Sequence, residues 1–427
     1  MLLFMTHLTA STKSADPGHD PASRKNGNLR FFLCAQLLSH CGTWTQFVAM
    51  AWLAVEVTGS GAGLGWITAA AFGPLLVLGP WTGALADRVD KHRLLITSQI
   101  LIAVQALALG SAVLAGSTKA SMMYGLTLAF GLIHAVETPA RRAFVAELVD
   151  EDRIHHAVGH ISAITAIGRV IGSLCAGGLI ASAGIGWCFI ATAAAYVIAV
   201  GALVAIRRDA LNIARAEAEP GAVRAGLRYA WNVRELRLTL LMTGLLAMFG
   251  FNHQVLIPAL VEQTFYGDVG TYTLLYSLIG AGSVIGALSV ARRREIDLRF
   301  LAGAGVAFAG ANALLALSPS VAVAAVAAVA TGVAASLFVT GASALLQRRC
   351  APTMRGRVMA LAAMVVTGGL PVGGPIVGMI VDYAGPRAGI MVGSAAALLV
   401  AAIVVRYQRP RDLTPALPLR GRHTVYA

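Results

Sequence analysis

The residues of this chain with the greatest capacity for chemistry are ionisable side chains inside long apolar runs. His40, His134, Glu137 and Arg169 are each surrounded by hydrophobic residues. A charge within a bilayer-spanning helix costs at least about 2.5 kcal/mol, so such residues normally face a cavity, a partner or an ion pathway. Their chemistry would be proton exchange or recognition of a charged solute. The sequence contains no nucleophile–base pair, metal-binding set or cofactor motif, which predicts no catalytic centre, no metal site and no cofactor.

Arg169 is the intramembrane charge that the sequence marks most clearly. It lies 13 residues beyond His156, or about 20 Å at about 1.5 Å per residue, which is too deep for easy snorkelling. Two interpretations satisfy the desolvation argument equally well. Arg169 is either a cavity charge or structural clamp, or an arginine paired with backbone carbonyls.

Polar side chains follow helical spacing in several apolar runs and form candidate cavity-lining stripes. These candidates for the cavity or for proton exchange are Gln36, His40, His134, Glu137, Asn252 and His253. Hydrogen bonding between helices, worth about 0.6 kcal/mol per contact, is the alternative for each stripe. Glu137 is the first candidate for proton exchange because burial can raise the pKa of a carboxylate towards neutrality. A position at the water interface is the competing interpretation.

The elements that must position these residues are membrane-spanning helices. The chain has 427 residues, of which 57% are hydrophobic and 12% charged, whereas a soluble domain carries about 25% charged residues. This composition excludes a soluble enzyme. Twelve apolar runs, spans one to twelve, are each long enough to cross a bilayer as a helix: about 31–57, 62–86, 94–116, 120–140, 158–182, 186–206, 238–261, 270–290, 300–317, 320–346, 358–382 and 388–405. The absence of alternation excludes strands. We therefore predict an all-α membrane protein with twelve transmembrane helices.

The runs divide into two groups of six, which predicts two six-helix pseudo-repeats. The predicted order is a disordered cytoplasmic tail (1–29), an N-terminal half (30–206), a cytoplasmic linker (207–235), a C-terminal half (236–406) and a cytoplasmic tail (407–427). Span five aligns with span eleven at an offset of 201, which places Gly172 on Gly373 and Gly177 on Gly378. A chance match between glycine-rich helices is the alternative. A parallel repeat would place a substrate site between the halves.

The excess of basic residues has a topological explanation. The formal net charge is +13, which in a soluble protein would suggest nucleic acid. With both termini cytoplasmic, 30 of the 33 Lys and Arg residues fall in cytoplasmic loops and tails; the exceptions are Lys119, Arg169 and Arg387. This bias obeys the positive-inside rule. It predicts a multi-pass membrane protein with no nucleic-acid partner.

Residues 83–93, GALADRVDKHR, form a motif at the end of span two. It resembles the cytoplasmic loop signature of the major facilitator superfamily, with Asp90 in place of the second glycine. Segments 42–46, 58–60, 137–144, 226–229 and 355–360 resemble the same family, and the likeness is greatest to the bacterial branch of siderophore exporters and macrolide efflux proteins. The resemblance implies a secondary transporter whose halves rock between inward-open and outward-open states, with spans one, four, seven and ten around the cavity.

The resemblance also assigns roles to single residues. It implies that Gly83, Asp87 and Arg88 form a gating motif in which Asp87 latches the cytoplasmic side closed. A solvated loop that only fixes orientation is the alternative. Glycines on spans five and eleven let helices approach closely; these helix-packing residues are Gly172, Gly177, Gly373 and Gly378. Those on span five are similar to an exporter motif with Ser173 in place of its proline, which favours export, although plain packing explains them equally well.

Together these observations predict a transporter, not an enzyme. The resemblance implies that it lies in the bacterial cytoplasmic (inner) membrane, with the lipid bilayer as its surroundings. We expect it to export a small amphiphilic molecule by alternating access, with proton antiport as the hypothesis for coupling. An importer (symporter) of the same fold and a transport-inactive membrane sensor are the alternatives. The sequence identifies neither the substrate nor the coupling ion.

Overall fold

The computed structural model describes residues 21–149, 154–211, 222–293 and 295–408, and these residues form helices and no strands. The predicted all-α membrane fold is confirmed. The helices are α1 (Pro21–Thr58), α2 (Gly61–Arg88), α3 (Lys91–Leu114), α4 (Ala120–Leu148), α5 (Ile154–Ala183), α6 (Ile185–Val204), α7 (Ala222–Asn232), α8 (Arg234–Phe249), α9 (His253–Gln263), α10 (Val269–Ala291), α11 (Leu298–Ala316), α12 (Val321–Arg349) and α13 (Arg355–Gln408).

Twelve crossings fit this set of helices. Ten stretches of the described chain are long and apolar enough to span a bilayer. One of them, Pro352–Arg406, is 55 residues long and holds two crossings, because α13 breaks at Gly385. Another, Arg234–Gln263, contains α8 and α9, so the seventh crossing is an interrupted helix. α1 is not among the ten because polar residues such as Gln36, His40 and Gln46 lower its mean hydropathy.

The first helix begins earlier than the sequence suggested. α1 starts at Pro21, inside the segment 1–29 for which the sequence predicts a tail. The side-chain amide of Asn28 donates to the Arg207 carbonyl at 2.9 Å and accepts from the Arg207 backbone N–H at 2.9 Å. This pair of hydrogen bonds ties the start of α1 to the chain just beyond α6. The predicted tail residues 1–20 and 409–427 lie outside the described residues.

Glycines spaced by 201 residues occupy equivalent places in the two halves. Gly184 has φ 96° and ψ 166°, and Gly385 has φ 83° and ψ 164°. Residues other than glycine rarely adopt this backbone conformation, because their Cβ atom disfavours positive φ. Glycine is therefore needed at both breaks between consecutive spans. The equivalence of the two backbones confirms the pseudo-repeat that the sequence predicted.

The glycine contacts repeat in the same way. A Cβ at Gly172 would collide with the Cys41 carbonyl of α1, and one at Gly373 with the Met248 carbonyl of α8. Both contacts lie within one half. Five residues further along each helix, Gly177 packs against Thr273 of α10 and Gly378 packs against the backbone of α2 at Gly61. Both of these contacts join the two halves.

The two ends of the molecule differ in how the halves meet. We call the end that carries α7 and the α2–α3 turn the linker end, and the opposite one, which carries Gly184 and Gly385, the far end. At the far end one hydrophobic cluster includes residues of both halves, among them Val55, Leu64, Leu260 and Val381. At the linker end the described residues form separate clusters for the N-terminal half and the C-terminal half. The structure is therefore closed at the far end and divided at the linker end.

Candidate functional site

A buried carboxylate lies at the centre of a polar network within the N-terminal half. Glu137 is fully buried on α4, eleven residues before the helix ends at Leu148. Its Oε1 forms an ion pair with Arg141 one turn later and accepts a hydrogen bond of 3.4 Å from the Gln99 amide. Its Oε2 lies 3.6 Å from Nδ1 of His134, and neither of these two atoms has a hydrogen bond among the described residues.

His40 extends this network to α1 and α5. Its Nε2 lies 3.2 Å from the Thr165 hydroxyl and 3.5 Å from a guanidinium nitrogen of Arg141. The structure thus brings three of the predicted residues together: His40, His134 and Glu137. Arg141 was not among the predicted residues, although its position four residues after a glutamate on a helix is the usual spacing of an ion pair.

Arg169 lies at the middle of α5, with fifteen residues of the helix before it and fourteen after it. Its guanidinium carbon is 4.4 Å from the centroid of the Trp44 ring. The Trp44 ring lies 6.3 Å from that of Tyr276, which belongs to α10 in the other half. The buried Nε of Arg169 has no hydrogen-bond partner among the described residues. Among the described residues, the aromatic face of Trp44 is therefore the contact recorded for this cation.

An aromatic row joins Arg169 to the buried carboxylate. From Trp44 the ring centroids are 5.6 Å to Phe47, 5.6 Å from Phe47 to Phe130 and 5.4 Å from Phe130 to His134. Such separations allow direct ring contact. The intramembrane cation and the carboxylate network are thus two ends of one packed array.

The remaining stripe residues lie apart from this array. Gln36 is buried on α1, and neither atom of its amide has a partner among the described residues. Asn252 lies at the interruption between α8 and α9, where its amide donates to the Met248 carbonyl at 2.7 Å. His253 is buried beside Phe308, and its Nε2 is 3.4 Å from Oδ1 of Asn312. Both residues make these contacts within the C-terminal half.

The predicted gating motif is described in part. The surroundings of Gly83 and the side chain of Asp87 lie outside the described part of the chain, and Arg88 is exposed as the last residue of α2. Asp90 replaces the glycine of the family pattern without strain because its φ is −64°. Its carboxylate accepts from the Arg93 backbone N–H at 3.0 Å, which caps the N-terminus of α3.

The structure also reveals a contact between the halves at the far end. Asp382 of α13 accepts hydrogen bonds from the backbone N–H groups of Gly61, at 2.5 Å, and Ala62, at 3.0 Å. These are the first residues of α2, where unpaired N–H groups and the helix dipole favour a negative charge. Sequence reasoning missed Asp382, although one carboxylate at the end of an otherwise apolar span is a usable signal.

Comparison with known proteins identifies the family of this chain. The model of the family described as "Transmembrane secretion effector" matches residues 22–416. The chain belongs to this family of the major facilitator superfamily. The family and the relatives found are transporters, not enzymes.

Among the relatives of this major facilitator protein, the staphyloferrin A transporter of Staphylococcus aureus (strain NCTC 8325 / PS 47) is 27% identical over 61% of this chain and 66% of that protein. That alignment spans slightly less than two thirds of the relative. The lysophospholipid transporter LplT of Yersinia enterocolitica is 28% identical over 64% of this chain and 67% of that protein. A solved bacterial homologue of the human lysosomal transporter Spinster, inward-facing and occupied, superposes with a TM-score of 0.72 at 14% identity, over 93% of this chain and 98% of that one. The latter likeness supports the fold.

Proposed function

We propose that this protein exports a small amphiphilic molecule by alternating access, and that it is driven by proton antiport. The family description concerns secretion, which supports export. The relatives carry names that refer to staphyloferrin A and to lysophospholipid, which support a substrate with both polar and apolar parts. The network around Glu137 supports the coupling and is the observation on which the proposal depends.

The orientation follows from the distribution of charge. The linker and both terminal segments hold many of the basic residues, and the positive-inside rule assigns such segments to the cytoplasm. The linker end then faces the cytoplasm, and the state described here is inward-open. Export begins from this state, in which the substrate binds from the cytoplasmic side.

Glu137 is suited to carry the proton because its environment contains competing charges. Arg141 stabilises the charged carboxylate, while complete burial disfavours it. His134, which lies 3.6 Å from Oε2, and His40, which contacts Arg141, are groups that can exchange the proton. A movement of the halves that shifts Arg141 relative to Glu137 would release or bind one proton per cycle.

A proteoliposome assay tests this proposal. Purified protein is reconstituted, a pH gradient is imposed in either direction, and uptake of fluorescent single-chain amphiphiles of anionic, zwitterionic and cationic type is recorded. We expect one class of amphiphile to be transported faster when protons move across the membrane in the opposite direction. The Glu137→Gln variant should transport at a rate that does not depend on the pH gradient. Glu56→Gln, the same change at an exposed carboxylate of α1, should leave the response intact.

Three outcomes would contradict the proposal. Transport that ignores the gradient in the wild-type protein would eliminate proton antiport. Transport in the same direction as the protons would support the importer alternative. A Glu137→Gln protein with a wild-type response to the gradient would remove Glu137 from the coupling.

A further inference from the structure

A cavity lies between the two halves at the linker end. Its volume is about 390 Å³, and its walls come from α2, α4 and the first turns of α13. Small-molecule sites occupy roughly 300–1,000 Å³, so the cavity has the size of a ligand site. It lies on the linker side of the interface between the repeats, and transporters of this architecture hold substrate at that interface, near the bilayer midplane.

Most of the cavity wall is apolar. It includes Leu75, Leu76, Pro139, Leu361 and Met364. Binding to an apolar surface of this kind is favourable for aliphatic chains, because it removes them from water. The same surface has no hydrogen-bonding groups for a strongly hydrated solute. The wall therefore selects for a ligand with an apolar part.

The charged residues that line the cavity are basic. Arg142 of α4 and Arg357 of α13 contribute guanidinium groups, and none of the described lining residues is acidic. The lining hydroxyls of Thr82 and Thr138 donate to carbonyls of their own helices, at 3.2 and 2.8 Å. The arginines are consequently the strongest hydrogen-bond donors of the wall.

Arg142 has no acidic partner among the described residues. No described residue forms an ion pair or hydrogen bond with it, and the neighbouring carboxylate Glu137 is held by Arg141. The Arg142 side chain is exposed, so a ligand can reach its guanidinium group. Arg357 stands on the other half and donates to Sδ of Met354 at 3.8 Å.

We propose that this cavity binds an amphiphilic anion, with the acidic head on Arg142, Arg357 as a second cation from the opposite half, and the aliphatic part against the apolar wall. Arginine is suited to this role because its planar donors pair with carboxylate or phosphate in bidentate fashion. The inference rests on the proposed function in one respect, since it names the substrate class of the same transporter.

A binding experiment tests the inference without transport. The protein is placed in phosphatidylcholine nanodiscs and titrated with dansylaminoundecanoic acid or with its neutral methyl amide, and the fluorescence of empty nanodiscs is subtracted. We expect the acid to bind at least ~10-fold more tightly than the amide, about 1.4 kcal/mol of preference. Arg142→Gln should reduce this preference to less than about threefold, while Arg142→Lys retains part of it. Arg348→Gln, at an exposed arginine of α12 outside the cavity, is the matched control.

A second arm identifies the source of the anionic group. Phosphatidylglycerol in the nanodisc should weaken binding of the acid if a lipid headgroup occupies the site, and should leave it unchanged if the site is reached from water. Equal binding of acid and amide by the wild-type protein would overturn the inference. The inference would also be overturned if the double variant Arg142→Gln with Arg357→Gln kept the wild-type preference for the acid over the amide. An unchanged thermal unfolding temperature serves to confirm that each variant is folded.

The two proposals fail separately. If the acid is preferred but transport ignores the pH gradient, proton antiport is wrong and the anion site stands. If transport responds to the gradient but the amide binds as tightly as the acid, the coupling stands and the substrate class is wrong.

Discussion

The guanidinium carbon of Arg169 lies 4.4 Å from the centre of the Trp44 ring, so the cation at the middle of α5 is held by α1 through an aromatic face. Cation–π contacts are worth about 0.5–1 kcal/mol at exposed sites and about 2 kcal/mol when desolvated. Of the two interpretations that the sequence left open, this contact is in keeping with the structural clamp, which remains a prediction.

A double-mutant cycle measures this clamp. We expect Trp44→Leu and Arg169→Met to show a coupling of about 0.5–2 kcal/mol in unfolding by SDS in mixed micelles, because each variant removes one side of the same contact. The cycle Phe47→Leu with Arg169→Met uses the neighbouring ring and should show a smaller coupling. Additive effects for Trp44 and Arg169 would contradict the assignment.

The ion pair between Glu137 and Arg141 predicts an asymmetric response to mutation. Arg141→Gln leaves a fully buried carboxylate without its guanidinium partner, a change that typically costs about 3–5 kcal/mol. We expect Glu137→Gln to cost less, and the double variant Glu137→Gln with Arg141→Gln to recover part of the loss. Unfolding in mixed micelles measures all three. A double variant less stable than Arg141→Gln alone would argue against a dominant charge effect.

Asp382 predicts how the far end is held closed. Asp382→Ala removes both hydrogen bonds to the start of α2, so the population that is open at the far end should rise. Spin labels at Ser117 and Tyr383, both exposed at that end, should report longer distances in the variant. The control Asp297→Ala removes a similar helix cap, the one that accepts from Phe300 N–H, at the linker end. This control should leave the far-end distances unchanged. A distance distribution in Asp382→Ala identical to that of the wild-type protein would show that Asp382 does not hold the far end closed.

The glycine contacts predict two different defects from the same substitution. Gly373→Ala should destabilise the C-terminal half, because the new Cβ would collide with the Met248 carbonyl in that half. Gly378→Ala should instead hinder closure at the far end, because its Cβ would meet the Gly61 carbonyl of the other half. Gly201→Ala, where a Cβ meets nothing within 4 Å, should be neutral or slightly stabilising. Unfolding and the spin-label distances together separate the three cases.

The fold followed from the sequence because its determinants are local. The length of the apolar runs requires spanning helices, and the glycine register at an offset of 201 predicts the repeat. The replacement of glycine by Asp90 did not disturb the turn, because an aspartate cap needs only negative φ.

The site was less predictable because its contacts depend on how helices rotate about their axes. Periodicity placed His40, His134 and Glu137 on helices. It did not indicate that Arg141 contacts both His40 and Glu137, or that His134 lies beside Glu137. It treated span seven as continuous, whereas the helix is interrupted at Asn252, and His253 contacts Asn312 and Phe308 of its own half. The contact between Asp382 and Gly61 joins residues 321 positions apart, and no spacing rule reaches that far.

The repeated glycines have a consequence for the kinetics of the transport cycle. Gly177 and Gly378 make their contacts with the opposite half through backbone and short side chains, and rotation of a long side chain cannot loosen either contact gradually. Since the two contacts are related by the repeat, opening of the far end has to separate both in one event. The transition should therefore be all-or-none, with a single rate-limiting barrier and no stable half-open intermediate.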